Sequence, residues 1–236
     1  MRQILQNNLP YYYFEAANVP SSKTIFIYHG FGSTAEGSFD LAETLANKGY
    51  SVVLPELIFH DSRNPFTNHF QPEIMQTYFW KTIFQSIDEF SSLVESIGLK
   101  KEQVILVGSS MGGFIANGIA RKVAGLAGLV NVGGSGSFVL SETLFRESDG
   151  RSDIPSELLT SLKHYDPVER KSGNVPTLLL HGECDDIVSI QGQKDYYRFL
   201  IEGEARSNVT FRSYPSVGHE FTTDMVNDVV EWLHHR

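Results

Sequence analysis

A short, almost wholly apolar run that ends directly in a glycine-bearing turn recurs along this 236-residue chain. TIFIY (24–28) runs into His29-Gly30-Phe31-Gly32, and VILV (104–107) into Gly108-Ser109-Ser110-Met111-Gly112-Gly113. TLLL (177–180) runs into His181-Gly182. Runs without polar alternation are buried on both faces, the mark of inner strands in a parallel sheet. Helical periods lie between them. Residues 39–48 set Phe39, Leu41, Ala42, Leu45 and Ala46 on one face before Gly49. Residues 74–97 keep Phe79, Ile83, Ile87, Phe90, Val94 and Ile97 at spacings of three and four before Gly98. A helix of small residues is expected over 114–121 and a last amphipathic helix over 223–234. Further strands are expected at 51–54, 126–132 and 209–214, with 11–17 as an antiparallel edge strand. Strands alternating with helices predict an α/β fold, its mostly parallel sheet covered on both faces. No repeat or linker interrupts the pattern, so residues 1–236 are expected to form one domain. The least patterned stretch, 133–175, is expected to form a small cap-like excursion, with a charged part at 141–153 and a helical one at 156–165.

Composition narrows the function classes. A chain this long can bury a full core without disulfides or metal. With 19 Lys and Arg against 28 Asp and Glu, the formal charge is -9, which weighs against nucleic acid as a partner. The single cysteine, Cys184, excludes an intramolecular disulfide framework and a Cys-based zinc site, and it is expected to be a partly buried spectator thiol. The terminal His234-His235-Arg236 reads as a solvated end. No apolar run reaches 18 residues, and the N-terminal MRQILQNNLPYYYF lacks the apolar core and cleavage site of a signal peptide. A cytoplasmic location and no membrane partner are therefore expected. Asn208-Val209-Thr210 matches the glycosylation triplet, but that matters only in a secreted chain.

The turn around Ser110 carries the most chemistry. In Gly-x-Ser-x-Gly between strand and helix, the glycines two before and two after the serine are needed because a Cβ there would collide with neighbouring chain. Such a turn lifts Ser110 Oγ off the sheet and sets it at a helix N-terminus, where backbone N–H groups favour negative charge. No Gly-Lys-Ser/Thr follows, so a phosphate-cradling loop does not fit. The His29 turn lets backbone approach closely, and the N–H groups of Phe31 and Met111 would form an oxyanion hole. His29 itself is read as orienting that loop by hydrogen bonding. After the 177–180 strand come Glu183, Asp185 and Asp186, at the sheet end where α/β proteins bind ligands. One of them should orient a histidine, and residue physics alone does not separate Asp185 from Asp186. Gly218-His219, between the last strand and the last helix, supplies the candidate base.

These motifs resemble those of the α/β-hydrolase superfamily. Within it the chain is most similar to small carboxylesterases related to dienelactone hydrolase and to the catalytic domain of prolyl oligopeptidases. The resemblance runs over about 24–232, through TIFIYHGFG, LAETLANKGYSVVLPE, VILVGSSMGG, YDPVE, PTLLLHGECDDIV and the Gly218-His219 pair. It implies an α/β-hydrolase fold with an excursion after the sixth strand, Ser110 as nucleophile and His219 as base. It also implies Asp185 as the acid, three residues after Gly182 and three before Val188, with the oxyanion N–H groups on Phe31 and Met111. Two positions depart from the pattern. His60-Asp61-Ser62-Arg63 stands where relatives commonly carry His-Gly-x-Arg, and Ser189 replaces a usual Pro. Dienelactone hydrolase itself uses a cysteine nucleophile, so its specific activity does not carry over to an elbow holding Ser110.

The expected function is hydrolysis of short- to medium-chain carboxylic esters through an acyl-enzyme, without metal or cofactor, by a monomer or homodimer. Thioesterase, acylaminoacyl or dipeptidyl peptidase and deacetylase activities would share the triad and differ only in the pocket. A non-catalytic interaction protein is the alternative of a different class. Candidate pocket walls are Phe31, Met111, the 133–138 loop and the aromatic stretch 59–80, with Phe66, Phe70, Tyr78, Phe79 and Trp80. An equal alternative has these aromatics simply packing the base of the excursion, and Phe79 is expected to face the core of its helix.

Overall fold

Successive side chains of the apolar runs point to opposite faces and feed two separate cores. Ile25, Ile27, Ile105 and Val107 enter one; Phe26, Tyr28, Val104 and Leu106 enter the other. The computed structural model describes all residues except 18–19, 170–172 and 236. Arg236, and the 170–172 part of the expected excursion, thus lie outside the described residues. Eight strands form one sheet: β1 (Arg2–Gln6), β2 (Leu9–Phe14), β3 (Thr24–Tyr28), β4 (Ser51–Pro55), β5 (Val104–Ser109), β6 (Gly128–Val132), β7 (Thr177–Gly182) and β8 (Val209–Tyr214). Their order is β1-β2-β4-β3-β5-β6-β7-β8, parallel from β4 to β8 and antiparallel where β2 meets β1 and β4. This is the α/β-hydrolase fold.

Helices cover both faces. α1 (Phe39–Asn47) and α7 (Thr223–His234) seal one core with Leu45, Met225, Val229 and Leu233. On the other face, α2 (Pro72–Ile97) and α3 (Met111–Lys122) contribute Ile83, Phe90, Phe114 and Ile119. The ends follow local chemistry. Pro72 opens α2, Gly98 closes it at φ 78°, and Thr222 Oγ1 accepts the Met225 N–H at 3.3 Å to cap α7.

Several elements differ from the sequence expectation. The 11–17 strand is β2, interior rather than at the edge, because β1 pairs outside it. The link is a two-residue hairpin, Asn7-Asn8, with φ 51° and 61°, the left-handed pair that tight hairpins favour. β1 alternates too weakly to announce itself, and the Asn-Asn pair was its signal. α3 starts at Met111 rather than 114, since its first turn is the glycine-rich turn itself. α4 (Phe138–Asp149) forms where only a charged stretch was recognised, and α6 (Ile190–Arg198) runs into a π-helical turn, Phe199–Gly203. Tyr196 and Leu200 of that pair bury themselves against Leu179.

α4 and α5 (Ser156–Tyr165) fill the connection between β6 and β7 and dock on α2. The Trp80 Nε1–H donates to Glu142 Oε2 at 2.8 Å, while Glu142 Oε1 accepts from Arg146 at 2.6 Å and Arg151 at 3.3 Å. Phe84 stacks on Tyr165 at 4.4 Å. Glu142 is buried, and three donors satisfy its carboxylate there. Glu142→Leu should cost about 1–3 kcal/mol by orphaning the Trp80 donor, read as a lower urea midpoint.

Candidate active site

At the β5–α3 junction the chain turns through Ser110 at φ 54° and ψ -122°, a conformation that costs a non-glycine residue about 1–3 kcal/mol. Neighbouring backbone enforces it. A Cβ on Gly108 would lie 2.0 Å from the Gly112 carbonyl oxygen, and one on Gly112 would lie 1.9 Å from that of Tyr28. Ser110 donates its N–H to Val132 O at 2.8 Å, and its own carbonyl accepts the Gly113 N–H at 2.8 Å. Beneath the turn, buried Asn131 accepts the Gly134 N–H at 2.9 Å and donates to Gln193 Oε1 at 2.9 Å. Sequence reasoning passed over this support. Its signal was one Asn inside an otherwise apolar strand.

Loops from three further strand ends converge on Ser110. Ser110 Oγ donates to His219 Nε2 at 2.8 Å, and His219 Nδ1–H donates to Asp185 Oδ2 at 2.8 Å. The Asp185 side chain is 1% exposed and that of His219 24%, so the ring forms the wet end of a buried pair. Of the three carboxylates, Asp185 alone meets His219. Asp186 is exposed, and Glu183 accepts from Ser213 Oγ at 2.6 Å. The Ile187 and Val188 N–H groups donate to Asp185 Oδ1 at 3.0 and 2.8 Å. Burial pushes the Asp185 pKa up, but hydrogen bonds from His181, His219 and the Val188 N–H overcome it and hold the carboxyl well below the usual carboxylate range. His181 is the unanticipated partner. Its buried Nε2 lies 3.2 Å from Asp185 Oδ2 and 2.9 Å from Val188 O, so it carries a proton shared between two acceptors. Cys184 is exposed, against the expected partly buried thiol, because the strand-end turn directs it outward.

The loop after β3 lies against the serine, a Cβ on Gly30 falling 3.6 Å from Ser110 Oγ. Met111 is the first residue of α3, so its N–H lacks an intrahelical acceptor. The Phe31 ring meets His60, His69 and Phe79 at 5.1, 5.5 and 5.9 Å. Phe79, expected to face the core of its helix, also touches Phe114 at 5.5 Å and Phe145 of α4 at 5.7 Å, so it bridges the loop to α4. Phe66 packs on Phe59 and Tyr78 within the 59–80 stretch, Trp80 packs on Phe114 and Phe138, and Phe70 is exposed beside Gly32. Gly133 lies beneath the triad, near Asp185 and His219. Among the described residues, no group of three His, Cys, Asp or Glu is placed to hold a metal, and no helix is long and apolar enough to cross a membrane.

At the position where the sequence departs from His-Gly-x-Arg, Asp61 takes a left-handed φ of 51°, the conformation glycine would supply. Beside it, buried His60 accepts the Gly32 N–H at Nε2 (3.0 Å) and donates from Nδ1 to Ile58 O (3.1 Å), so its ring is neutral. Burial pushes the His60 pKa down to about 4. The Ile58 carbonyl and Asp61 oppose this shift, and His29 and His69 reinforce it. An unfolded histidine takes its proton near 6.5. Between those values the unfolded chain binds more protons, so this contribution is complete above pH 6.5 and fades as pH falls toward 4. Urea midpoints should therefore drop across that interval, and less steeply in His60→Gln, which keeps an acceptor but cannot take the proton.

Comparison with known proteins agrees with this architecture. The model of the Dienelactone hydrolase family matches residues 9–231. Esterase YjfP of Escherichia coli is 26% identical over 220 residues, spanning 89% of this chain and 87% of the relative. Acyl-protein thioesterase 1 of Kluyveromyces lactis is 24% identical over 230 residues, spanning 91% and 92%. Among solved structures, TT1662 of Thermus thermophilus superposes with a TM-score of 0.75 at 19% identity, covering 99% of this chain and 96% of that one. With the match covering nearly all of the sheet and every loop described above, the chain belongs to the dienelactone hydrolase family of α/β-hydrolases and is a hydrolase of the esterase type.

Proposed function

We propose that this protein hydrolyses short- to medium-chain carboxylic esters through an acyl-enzyme on Ser110. The observation that carries the reading is the continuous relay from Ser110 Oγ through His219 to buried Asp185, both links at 2.8 Å. In the first half-reaction Ser110 Oγ attacks the ester carbonyl carbon, and His219 Nε2 takes the hydroxyl proton. The tetrahedral intermediate collapses, the C–O bond to the alcohol breaks, and His219 returns the proton to the leaving alkoxide. Water then attacks the acyl carbonyl with His219 again as base, releasing the acid and regenerating the serine. Asp185 keeps its negative charge throughout. It fixes the Nδ1–H tautomer of His219 and stabilises the imidazolium that forms. The N–H groups of Phe31 and Met111 bind the oxyanion, one such donor contributing about 3 kcal/mol in comparable enzymes. The N-terminal end of α3 adds a favourable field for that charge.

The acyl preference rests on the aromatic set that joins the oxyanion loop to α4. Phe31, Phe79 and Phe145 put bulky apolar surface beside the reaction centre, which suits a short or medium hydrocarbon chain better than a charged one. In this reading α4 and α5 act as the cap-like excursion over the site, within a single domain. A thioester substrate is the second reading, favoured by the likeness to a protein named acyl-protein thioesterase 1. A panel of p-nitrophenyl esters and acyl thioesters of increasing chain length distinguishes the two.

Ser110→Ala should lower turnover of p-nitrophenyl butyrate by about 10⁴-fold or more, and Asp185→Asn by about 10⁴-fold. Asp186→Asn should stay near wild type. Unchanged turnover in Ser110→Ala would leave a non-catalytic protein of this fold as the better reading, and a severe loss confined to Asp186→Asn would move the acid.

A further inference from the structure

We propose that Asp61 is a positioning residue for the oxyanion hole, its carboxylate clamping the 29–35 loop onto the end of β4. The inference rests on the reading of the Phe31 N–H as an oxyanion donor.

Asp61 makes contacts at both ends of that loop and at the strand beside it. At the start, His29 Nε2 lies 3.0 Å from Asp61 Oδ2. At the far end the Ala35 N–H donates to Oδ1 at 2.7 Å, and the Leu57 N–H, just past β4, donates to Oδ2 at 3.1 Å. The His29 and Asp61 side chains are 2% and 5% exposed, so the carboxylate is dry and its partners are not exchanged for water. The other ring nitrogen of His29 reaches Gly30 O at 2.9 Å, which passes the constraint to the peptide immediately before Phe31. His60, the neighbour of Asp61 in sequence, takes the Gly32 N–H at 3.0 Å, fixing the peptide immediately after Phe31. The donor N–H thus belongs to one tethered peptide and is followed by a second, both held from residues 60–61.

The holding segment is itself conformationally committed. Phe59, Asp61 and Asn64 take φ of 64°, 51° and 59°, and the Phe59 N–H donates to Arg63 O at 2.7 Å across the turn. Left-handed backbone at an aromatic residue persists only where surrounding contacts over-determine it. Here His69 donates from Nε2 to Phe59 O at 2.7 Å, and Phe66 and Tyr78 pack on the Phe59 ring. An aspartate at a left-handed position is tolerated, though less readily than glycine, so the carboxylate brings something glycine does not. What it brings is three hydrogen bonds. They leave Asp61 ionised, because the His29 ring and the two N–H groups outweigh the burial that would raise its pKa.

Asp61→Gly tests this, since glycine accepts the backbone conformation and removes only the clamp. A loosened donor is misplaced in the transition state, where a small displacement is expensive. With p-nitrophenyl butyrate, kcat should fall about 10- to 100-fold with KM nearly unchanged. Ki for phenylboronic acid, which forms a tetrahedral adduct on the serine, should rise by the same factor as kcat/KM falls. Asp61→Asn, which tolerates the same backbone and retains one acceptor oxygen, should recover part of the loss and carries the test if the glycine variant does not fold. A folded variant with wild-type kcat and boronate Ki, or with its loss in KM alone, overturns the clamp. Ser110→Ala separates the two levels. If that variant still turns over substrate, the reading of the site falls and the clamp with it; if it is dead while Asp61→Gly is unimpaired, only the clamp falls.

Discussion

Everything at this site depends on how closely three pieces of backbone pass one another at the ends of β3 and β5. With no room for a Cβ at Gly108 or Gly112, the β5–α3 turn tightens until Ser110 occupies a positive-φ conformation that glycine would adopt more readily. The same crowding brings the Tyr28 carbonyl, and with it the loop after β3, against the first turn of α3. A strained serine, a helix N-terminus and a glycine loop are therefore consequences of one packing event. The two hydrophobic cores on either side of the sheet supply the stability that holds it.

Buried charge is the second organising element, and it is handled alike on both sides of the serine. Asp185 and Asp61 are almost wholly buried, Asp185 meets two histidine rings and Asp61 one, each also takes backbone N–H groups, and each is held in its ionised form. An isolated carboxylate would be prohibitive in such a place, and a satisfied one becomes a rigid anchor. One anchor holds His219. The other faces the loop that carries Phe31. The asymmetry lies in exposure: the His219 ring reaches solvent, whereas His29, His60 and His181 are buried within the framework.

The central sheet was legible because its inner strands are all-apolar and stop at glycines, a pattern few other structures produce. Ser110 and His219 were legible because each sits in a glycine turn at a strand end. Asp185 was not separable from Asp186 by residue physics, since adjacent carboxylates on a loop differ only in which one the fold buries. β1 and α6 were missed for a related reason. Their apolar faces are thin, and what secures them is pairing with β2 and packing on Leu179, neither visible in a local window. His181, Asn131 and Gln193 escaped notice because a polar residue supporting a site from below has no spacing rule of its own. Asp61 showed only as a departure from a familiar pattern; its three hydrogen bonds come from residues 4 to 32 positions away.

The most direct test of the account is the covalent fate of Ser110. Wild-type protein treated with a fluorophosphonate and digested for mass spectrometry should carry one phosphonyl group per chain, on Ser110, and His219→Ala should label far more slowly. A modified Ser109, or a protein that takes up no phosphonyl group while folded, would contradict it.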